Sequence, residues 1–294
     1  MPSSGFKHLE GTLAEGIVIQ DITGTQTNGN EYVWVPVEGT LERKAFMGED
    51  LTSTFTEDVG TAYNTMATQV EKYNGFYVSR YEAGTSTISD GSLSTTGSLK
   101  PLSQKNKYVW NNIAWDSSGN YPGDDTQTGA ALVAKSAYPE NSPVASSLLY
   151  GAQYDAMLNY INTTSTSVTN STTWGNHSDS SITVSAGARI AIMDEDWNLG
   201  GYGNVLSGPI TKTSSDKWLL TTGASEQSKA KNIYDVAGNV FEWSYELRPA
   251  SYSRVVRSGG FYGSGADFPA ACRNSIVPGD SDGGCGFRFA LYIK

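Results

Sequence analysis

Short stretches of β-branched and aromatic residues, separated by turn residues, recur along this chain. Residues 31–39, 75–84 and 188–193 have this pattern, which predicts three strands. The late segments 232–246 and 286–293 are also apolar enough to be structured. Strands and helices do not alternate as they do in βαβ units, so the pattern favours an α+β domain with many loops.

Two segments have the helical period. Residues 56–73 place four apolar residues, from Val59 to Val70, at helical spacing, and Thr56 precedes them as a candidate N-cap. Residues 146–163 carry a second face of this kind. Between the two predicted helices the chain is rich in Ser, Thr, Gly, Asn and Asp, which predicts long loops over residues 85–145.

Length and charge narrow the class of protein. The chain has 294 residues, which we assign to a single domain at residues 31–294 and an N-terminal extension, residues 1–30, that packs on or leads into it. A net charge of −10 argues against nucleic acid and anionic membranes as partners, since both require a basic face. No stretch approaches the roughly 20 apolar residues of a membrane span, so no membrane insertion is expected. No signal peptide is visible.

One segment resembles a known family signature. The stretch "NIYDVAGNVFEW" at residues 232–243 is similar to the "GLYNIVGNVWEW" motif of the formylglycine-generating enzyme (sulfatase-modifying factor) family. Three further segments agree in order with that family: "YVWVPVEG", "GFYVSRYEAG", and "RVVRSGG" with the closing "GFR". The resemblance implies the C-type lectin-like fold of this subtype, which is α+β and loop-rich, with two main helices and short antiparallel sheets.

The same motif carries a candidate calcium site. In the family, the positions that match Asp235, Gly238, Val240 and Glu242 bind calcium, and oxygen ligands of this kind suit a hard cation. The residues themselves leave a second interpretation open, a structural turn at Gly238 in which Glu242 accepts hydrogen bonds from backbone amides. We expect Arg288, in the last strand, to be structural and paired with a buried acid.

The catalytic cysteines of the family are not conserved in this chain. The oxidase activity requires two cysteines that bind copper, and the matching positions hold Ser264 and then Phe268 or Pro269. The two cysteines of the chain, Cys272 and Cys285, lie elsewhere in the segment. A hydroxyl does not replace a soft thiolate as a copper ligand, so we expect neither copper nor enzymatic activity.

A non-catalytic branch of this fold shares the features of the C-terminal segment. In the variable proteins of diversity-generating retroelements, error-prone copying at adenines rewrites a C-terminal segment. Template codons of two adenines and a pyrimidine reach every amino acid except Met, Trp, Lys, Glu and Gln. Residues 258–293 contain none of these five types, whereas the average frequency in the whole chain gives about five or six. A glycine-rich loop region would also lose some of these residues without diversification.

We therefore predict a variable region at about residues 257–293, held in a fixed frame. The frame residues are Gly259, Gly260, Arg273, Gly286, Phe287 and Arg288. The predicted ligand-contact positions are Phe261, Tyr262, Gly263, Ser264, Gly265, Asp267, Phe268, Cys272, Ser275, Ile276, Val277, Asp280, Ser281, Asp282, Gly283, Gly284 and Cys285. The two cysteines are interpreted as random outcomes. The alternatives are a small buried hydrophobe for Cys272 or a disulfide between the two.

These features predict a non-enzymatic ligand-binding protein of the receptor or adhesin type. It would be displayed on a phage tail or a bacterial cell surface, as a monomer or a virion-associated oligomer. Its variable patch would bind a protein or glycan ligand on a target cell. One alternative is a fixed carbohydrate-binding lectin or adhesin that uses calcium, and a less favoured one is a divergent oxidase of the family.

Overall fold

The computed structural model describes residues 5–87 and 99–294, and every structural statement below concerns these residues. They form three helices and eighteen strands. The helices are α1 (Thr61–Tyr73), α2 (Ala130–Lys135) and α3 (Gly151–Ile161). The strands are β1 (Phe6–Glu10), β2 (Val18–Asp21), β3 (Glu31–Pro36), β4 (Gly75–Ser79), β5 (Gly84–Thr85), β6 (Tyr108–Val109), β7 (Val144–Leu148), β8 (Ile182–Val184), β9 (Ile190–Ile192), β10 (Ile210–Lys212), β11 (Trp218–Leu220), β12 (Lys229–Ala230), β13 (Ile233–Tyr234), β14 (Phe241–Arg248), β15 (Ser253–Arg257), β16 (Arg273–Ile276), β17 (Cys285–Phe287) and β18 (Phe289–Ile293).

The largest sheet has six antiparallel strands in the order β1-β2-β3-β4-β18-β7. Its central strands bury Val33, Val78 and Leu291 completely, and α1 packs on β4 and β18. The predicted N-terminal extension, residues 1–30, contributes β1 and β2. The central sheet therefore begins before residue 31.

Both predicted helices are present, but each begins later than expected. Helix α1 starts after the N-cap Gly60, because the backbone of Thr56 pairs with Leu247 instead of capping a helix. Helix α3 starts at Gly151, because the five residues of β7 pair with β18 at the edge of the sheet. In both cases a partner distant in sequence overrides the local preference.

The region predicted as long loops, residues 85–145, also contains regular structure. Strand β6 and the short helix α2 lie in its described part, and neither was predicted. Trp110 and Trp115 are buried in the core, where they fix this region to the rest of the domain.

A second sheet has four strands in the order β16-β15-β14-β17. Strands β14 and β17 run parallel, and the other neighbours run antiparallel. Four two-stranded sheets complete the structure. The architecture is α+β and loop-rich, with two main helices and mostly small antiparallel sheets, as predicted, and it is consistent with a C-type lectin-like fold. In the described part of the chain, no helix has the length and apolar character that a membrane span requires.

Candidate ligand-binding surface

The predicted variable region, about residues 257–293, contains β16, the two loops that flank it, and the last two strands, β17 and β18. Residues 258–272 connect β15 to β16, and residues 277–284 connect β16 to β17. The second loop starts at the end of β16 near Arg254 and reaches β17 beside Phe241, so it runs back along the four-stranded sheet. Backbone N–H groups of Asn112 and Asp116 donate to carbonyls of this loop and hold it in place.

Thirteen of the seventeen predicted contact positions are half-buried or exposed. They are Tyr262, Gly263, Ser264, Asp267, Phe268, Cys272, Ser275, Ile276, Val277, Asp280, Ser281, Asp282 and Gly283. We call these residues the surface set. Five of them, with Cys285, line one cavity of about 390 Å³. Those five are Tyr262, Ile276, Asp280, Ser281 and Asp282.

The other four predicted contact positions, Phe261, Gly265, Gly284 and Cys285, are buried. Phe261 packs in a small core with residues that include Val240. A Cβ added at Gly265 would lie 2.5 Å from the backbone N of Thr172, and one at Gly284 would lie 2.2 Å from Cε1 of Tyr262. Burial assigns these four positions to the scaffold in this structure, although Cys285 still forms part of the cavity floor.

Two predicted frame residues near β15 and β16, Arg273 and Gly259, have structural reasons to be constant. The guanidinium of Arg273 donates to both carboxylate oxygens of Asp155 on α3, at 2.5 and 2.6 Å, and to Glu246 on β14 at 3.0 Å. Arg257 also pairs with both acids. Burial opposes ionisation of Glu246, but Arg257 and Arg273 outweigh it and lower the pKa of its carboxyl. A Cβ at Gly259 would lie 2.2 Å from the carbonyl oxygen of Phe268.

Arg288 forms the predicted pair with a buried acid, which is Glu242. Its Nε lies 2.7 Å from each carboxylate oxygen, and both side chains have no solvent exposure. Arg288 also donates to the carbonyls of Ser79 and Tyr234, and the hydroxyl of Tyr154 donates to Glu242. The pair joins the family-like motif on β14 to the last strand, and the prediction for Arg288 is confirmed.

Two of the four predicted calcium ligands, the carboxylates of Asp235 and Glu242, are engaged by protein donors in this conformation. Both carboxylate oxygens of Glu242 accept from Arg288, and those of Asp235 accept from the Ser228 hydroxyl and the Gly223 backbone N–H, at 2.6 Å each. Gly238 has a φ of 77°, as the structural-turn interpretation requires. Across residues 5–87 and 99–294, no group of three or more His, Cys, Asp or Glu side chains is placed to hold a metal ion. The arrangement therefore does not fit calcium, and the prediction is left to a chelation experiment.

The two cysteines and Ser264 have ordinary environments. Cys272 and Cys285 are both free thiols. Burial raises the pKa of Cys272 to about 11 and that of Cys285 well above its usual value, so neither is an activated thiolate. Ser264, which the sequence resemblance aligns with the first catalytic cysteine, donates its hydroxyl hydrogen to Asp267 at 2.8 Å.

One side-chain pair that the sequence did not reveal supports the loop of residues 258–272. His177 is fully buried, and its Nε2 lies 2.8 Å from the hydroxyl of Ser171. The backbone N–H of Ser171 donates to the carbonyl of Gly265 at 2.9 Å. Burial lowers the pKa of His177 to about 4. Neither side chain reaches solvent, and through Ser171 the pair supports Gly265.

Three residues outside the predicted set also line the cavity: Phe241, Val256 and Asn274. Phe241 is buried. Asn274 is exposed, and a signal for it was present in the sequence. Asparagine is the amino acid that a codon of two adenines and a pyrimidine encodes, so this residue type is compatible with the predicted diversification.

Comparisons with known proteins give little further information. No family model matches the chain, and no curated protein matches it. Among solved structures, Treponema denticola variable protein 1 is similar, with 13% identity and a TM-score of 0.32 over 99% of this chain and 100% of that one. At these values the likeness carries no argument about this chain.

Proposed function

We propose that this chain is a non-enzymatic ligand-binding protein whose C-terminal segment is diversified by retroelement mutagenesis. Its ligand is a protein or glycan on a target cell, and the chain is displayed on a phage tail or a bacterial cell surface. The surface set forms the binding patch, with the 390 Å³ cavity at its centre.

The observation that supports this proposal most is the match between composition and position. Residues 258–293 lack the five amino-acid types that adenine mutagenesis does not produce. Within this segment the surface set reaches solvent, whereas frame residues such as Arg273 and Arg288 are buried in ion pairs. Substitutions at exposed positions change stability by only about 0.5 kcal/mol, so the five exposed members of the set, which are Asp267, Val277, Asp280, Ser281 and Asp282, can vary while the fold is retained.

The chemistry of the patch also suits recognition. Tyr262 and Phe268 both contact the ring of Phe241, which holds their side chains in place. Rigid aromatic side chains supply contact area at a low entropic cost, as they do in antibody loops. Ser281 and Asp282 add adaptable polar groups around the same cavity.

The source genome provides the test. We expect a near-copy of the coding segment for residues 258–293 beside a reverse-transcriptase gene, with mismatches at template adenines. The segment for residues 31–256 serves as the control, since it should have no second copy. A genome without such a copy, or a copy with mismatches at all four bases, would contradict diversification and favour a fixed lectin or adhesin.

A further inference from the structure

A tryptophan outside the variable region lies exposed beside the binding patch. The side chain of Trp197 is 60% exposed, and its ring contacts Tyr262 edge-to-face at 6.2 Å between centroids. Tryptophan is over-represented among residues that dominate binding energy at interfaces. An exposed tryptophan in contact with the wall of the cavity is therefore a candidate contact residue.

The segment that carries Trp197, residues 193–199, is firmly held, and we call it the acidic loop. Met193 and Leu199 form a β-bridge at its base. The carboxylate of Asp194 accepts from the backbone N–H of Asn198 at 2.8 Å. Trp197 has a φ of 65°, an uncommon conformation for a bulky residue, and the ammonium of Lys217 lies 3.6 Å from the centre of its ring. The loop thus presents Trp197 in a fixed orientation.

The acidic loop packs together with the two loops that flank β16. Leu199 and Met193 pack on the small core that contains Phe261. A Cβ on Gly283 would contact the side chain of Leu199 at 3.2 Å. The two surfaces are therefore continuous, and a ligand large enough to cover Tyr262 would also reach Trp197.

The charges around this joint surface are mostly negative. Glu195 and Asp196 are exposed beside Trp197, and Asp280 and Asp282 line the cavity. No Lys or Arg is among the described residues that line the cavity. The fixed charges are Glu195 and Asp196, against the ammonium of Lys217 that already lies on the Trp197 ring, and in this variant Asp280 and Asp282 add two further carboxylates. Charge complementarity then favours a positively charged partner.

We infer that the acidic loop is a fixed wall of the ligand surface, with Trp197 as its anchor, and that it favours a protein ligand presenting Lys or Arg side chains. This inference rests on the proposed function of the neighbouring patch. The surface set changes from one variant to the next, whereas the acidic loop contributes the same contacts to every variant.

A display library of the intact chain, randomised at the surface set, tests the inference. Binders are selected against lysozyme, a basic protein, and serum albumin, an acidic one. We expect more binders to lysozyme, and Trp197→Ala should raise the Kd of most of them about tenfold or more. Trp197→Phe should raise the Kd less than Trp197→Ala does. Tyr252→Ala is the matched control, because Tyr252 is 70% exposed, contacts Tyr121 and lies outside the cavity.

The charge of the loop is tested in the same binders. The double change Glu195→Gln and Asp196→Asn should slow association with lysozyme several-fold at low salt, and the difference should shrink at high salt. A library with no binders to either probe counts against the proposed function itself. If Trp197→Ala raises the Kd of the binders no more than Tyr252→Ala does, Trp197 is not an anchor of the ligand surface. Equal recovery of albumin binders, or an unchanged association rate in the double variant, overturns the basic ligand.

Discussion

Replacing Gly265 with alanine tests whether the predicted contact positions divide into surface and scaffold as the structure indicates. Gly265 was predicted to vary, yet it is buried against the segment that holds Ser171 and His177. Asp267, two residues later in the same loop, is exposed and belongs to the surface set. Gly265→Ala and Asp267→Ala are therefore a matched pair within one loop.

The cost of Gly265→Ala follows from the contacts of the added methyl group. Its carbon would lie 2.5 and 2.6 Å from the backbone N and Cα of Thr172, so no side-chain rotation relieves the clash and the loop must move. Movement weakens two hydrogen bonds of 2.9 Å, from Ser171 N–H to the Gly265 carbonyl and from Gly265 N–H to Asp179. Overpacking costs about 1–3 kcal/mol, and two bonds of about 1 kcal/mol each that keep about half their strength add about 1 kcal/mol, so we expect a loss of about 2–4 kcal/mol.

Urea denaturation measures this loss from the midpoint and slope of the transition. Asp267→Ala should stay within about 0.5 kcal/mol of the parent, as exposed substitutions usually do. A free energy of unfolding for Gly265→Ala within about 1 kcal/mol of the parent value would show that this loop repacks easily. In that case burial would not separate scaffold from variable positions.

Three further predictions concern the frame, the buried histidine and calcium. Arg288→Met leaves Glu242 charged and buried without its partner and should lower the free energy of unfolding, measured in urea, by about 3–5 kcal/mol. Adding Glu242→Gln should recover part of that loss. A loss below about 1 kcal/mol for Arg288→Met would contradict the structural role of the pair. The pKa of His177 is about 4 in the folded chain, against its ordinary value of 6.5, so between these two pH values the folded state binds fewer protons than the unfolded state. His177 should therefore not reduce the free energy of unfolding above about pH 6.5, and should lower it by up to about 3 kcal/mol as the pH drops to about 4. His177→Gln should remove that part of the pH dependence of the free energy of unfolding. If parent and variant lose stability equally as the pH falls through this range, His177 is not its source. The unfolding temperature should be the same in chelator and in millimolar calcium chloride, with magnesium chloride as the control, and a rise with calcium alone would show that a calcium site forms.

Local patterns were enough to predict the main elements of the fold. The helical spacing that ends at Met66 and Val70 identified α1, and both residues are fully buried. Elements that depend on distant partners were not predictable in this way. The sequence of β7 continues the helical pattern of α3, and only its pairing with β18 at the end of the chain makes it a strand.

The candidate site shows the same division. The residue types of the variable region are evident from the sequence, but the burial of each side chain could not be predicted from it. Phe261 and Phe268 are the same amino acid seven positions apart, and one is fully buried whereas the other is half-buried. Phe261 is buried because Val109, Ala191 and Leu219, which are far away in sequence, meet it in a small core.

Burial also constrains how a diversified segment can be encoded. Arg273 lies inside the variable region, yet losing its charge would leave the buried Asp155 and Glu246 with Arg257 and the partly buried Arg43 alone, at a cost of up to about 3–5 kcal/mol. Domains are stable by only about 5–15 kcal/mol, so random replacement at such a position would unfold a large share of variants. The template should therefore avoid adenines in the first two codon positions for Gly259, Gly265, Arg273 and Arg288. Adenine-rich codons should instead coincide with the surface set and Asn274, so that mutagenesis falls where the structure tolerates it.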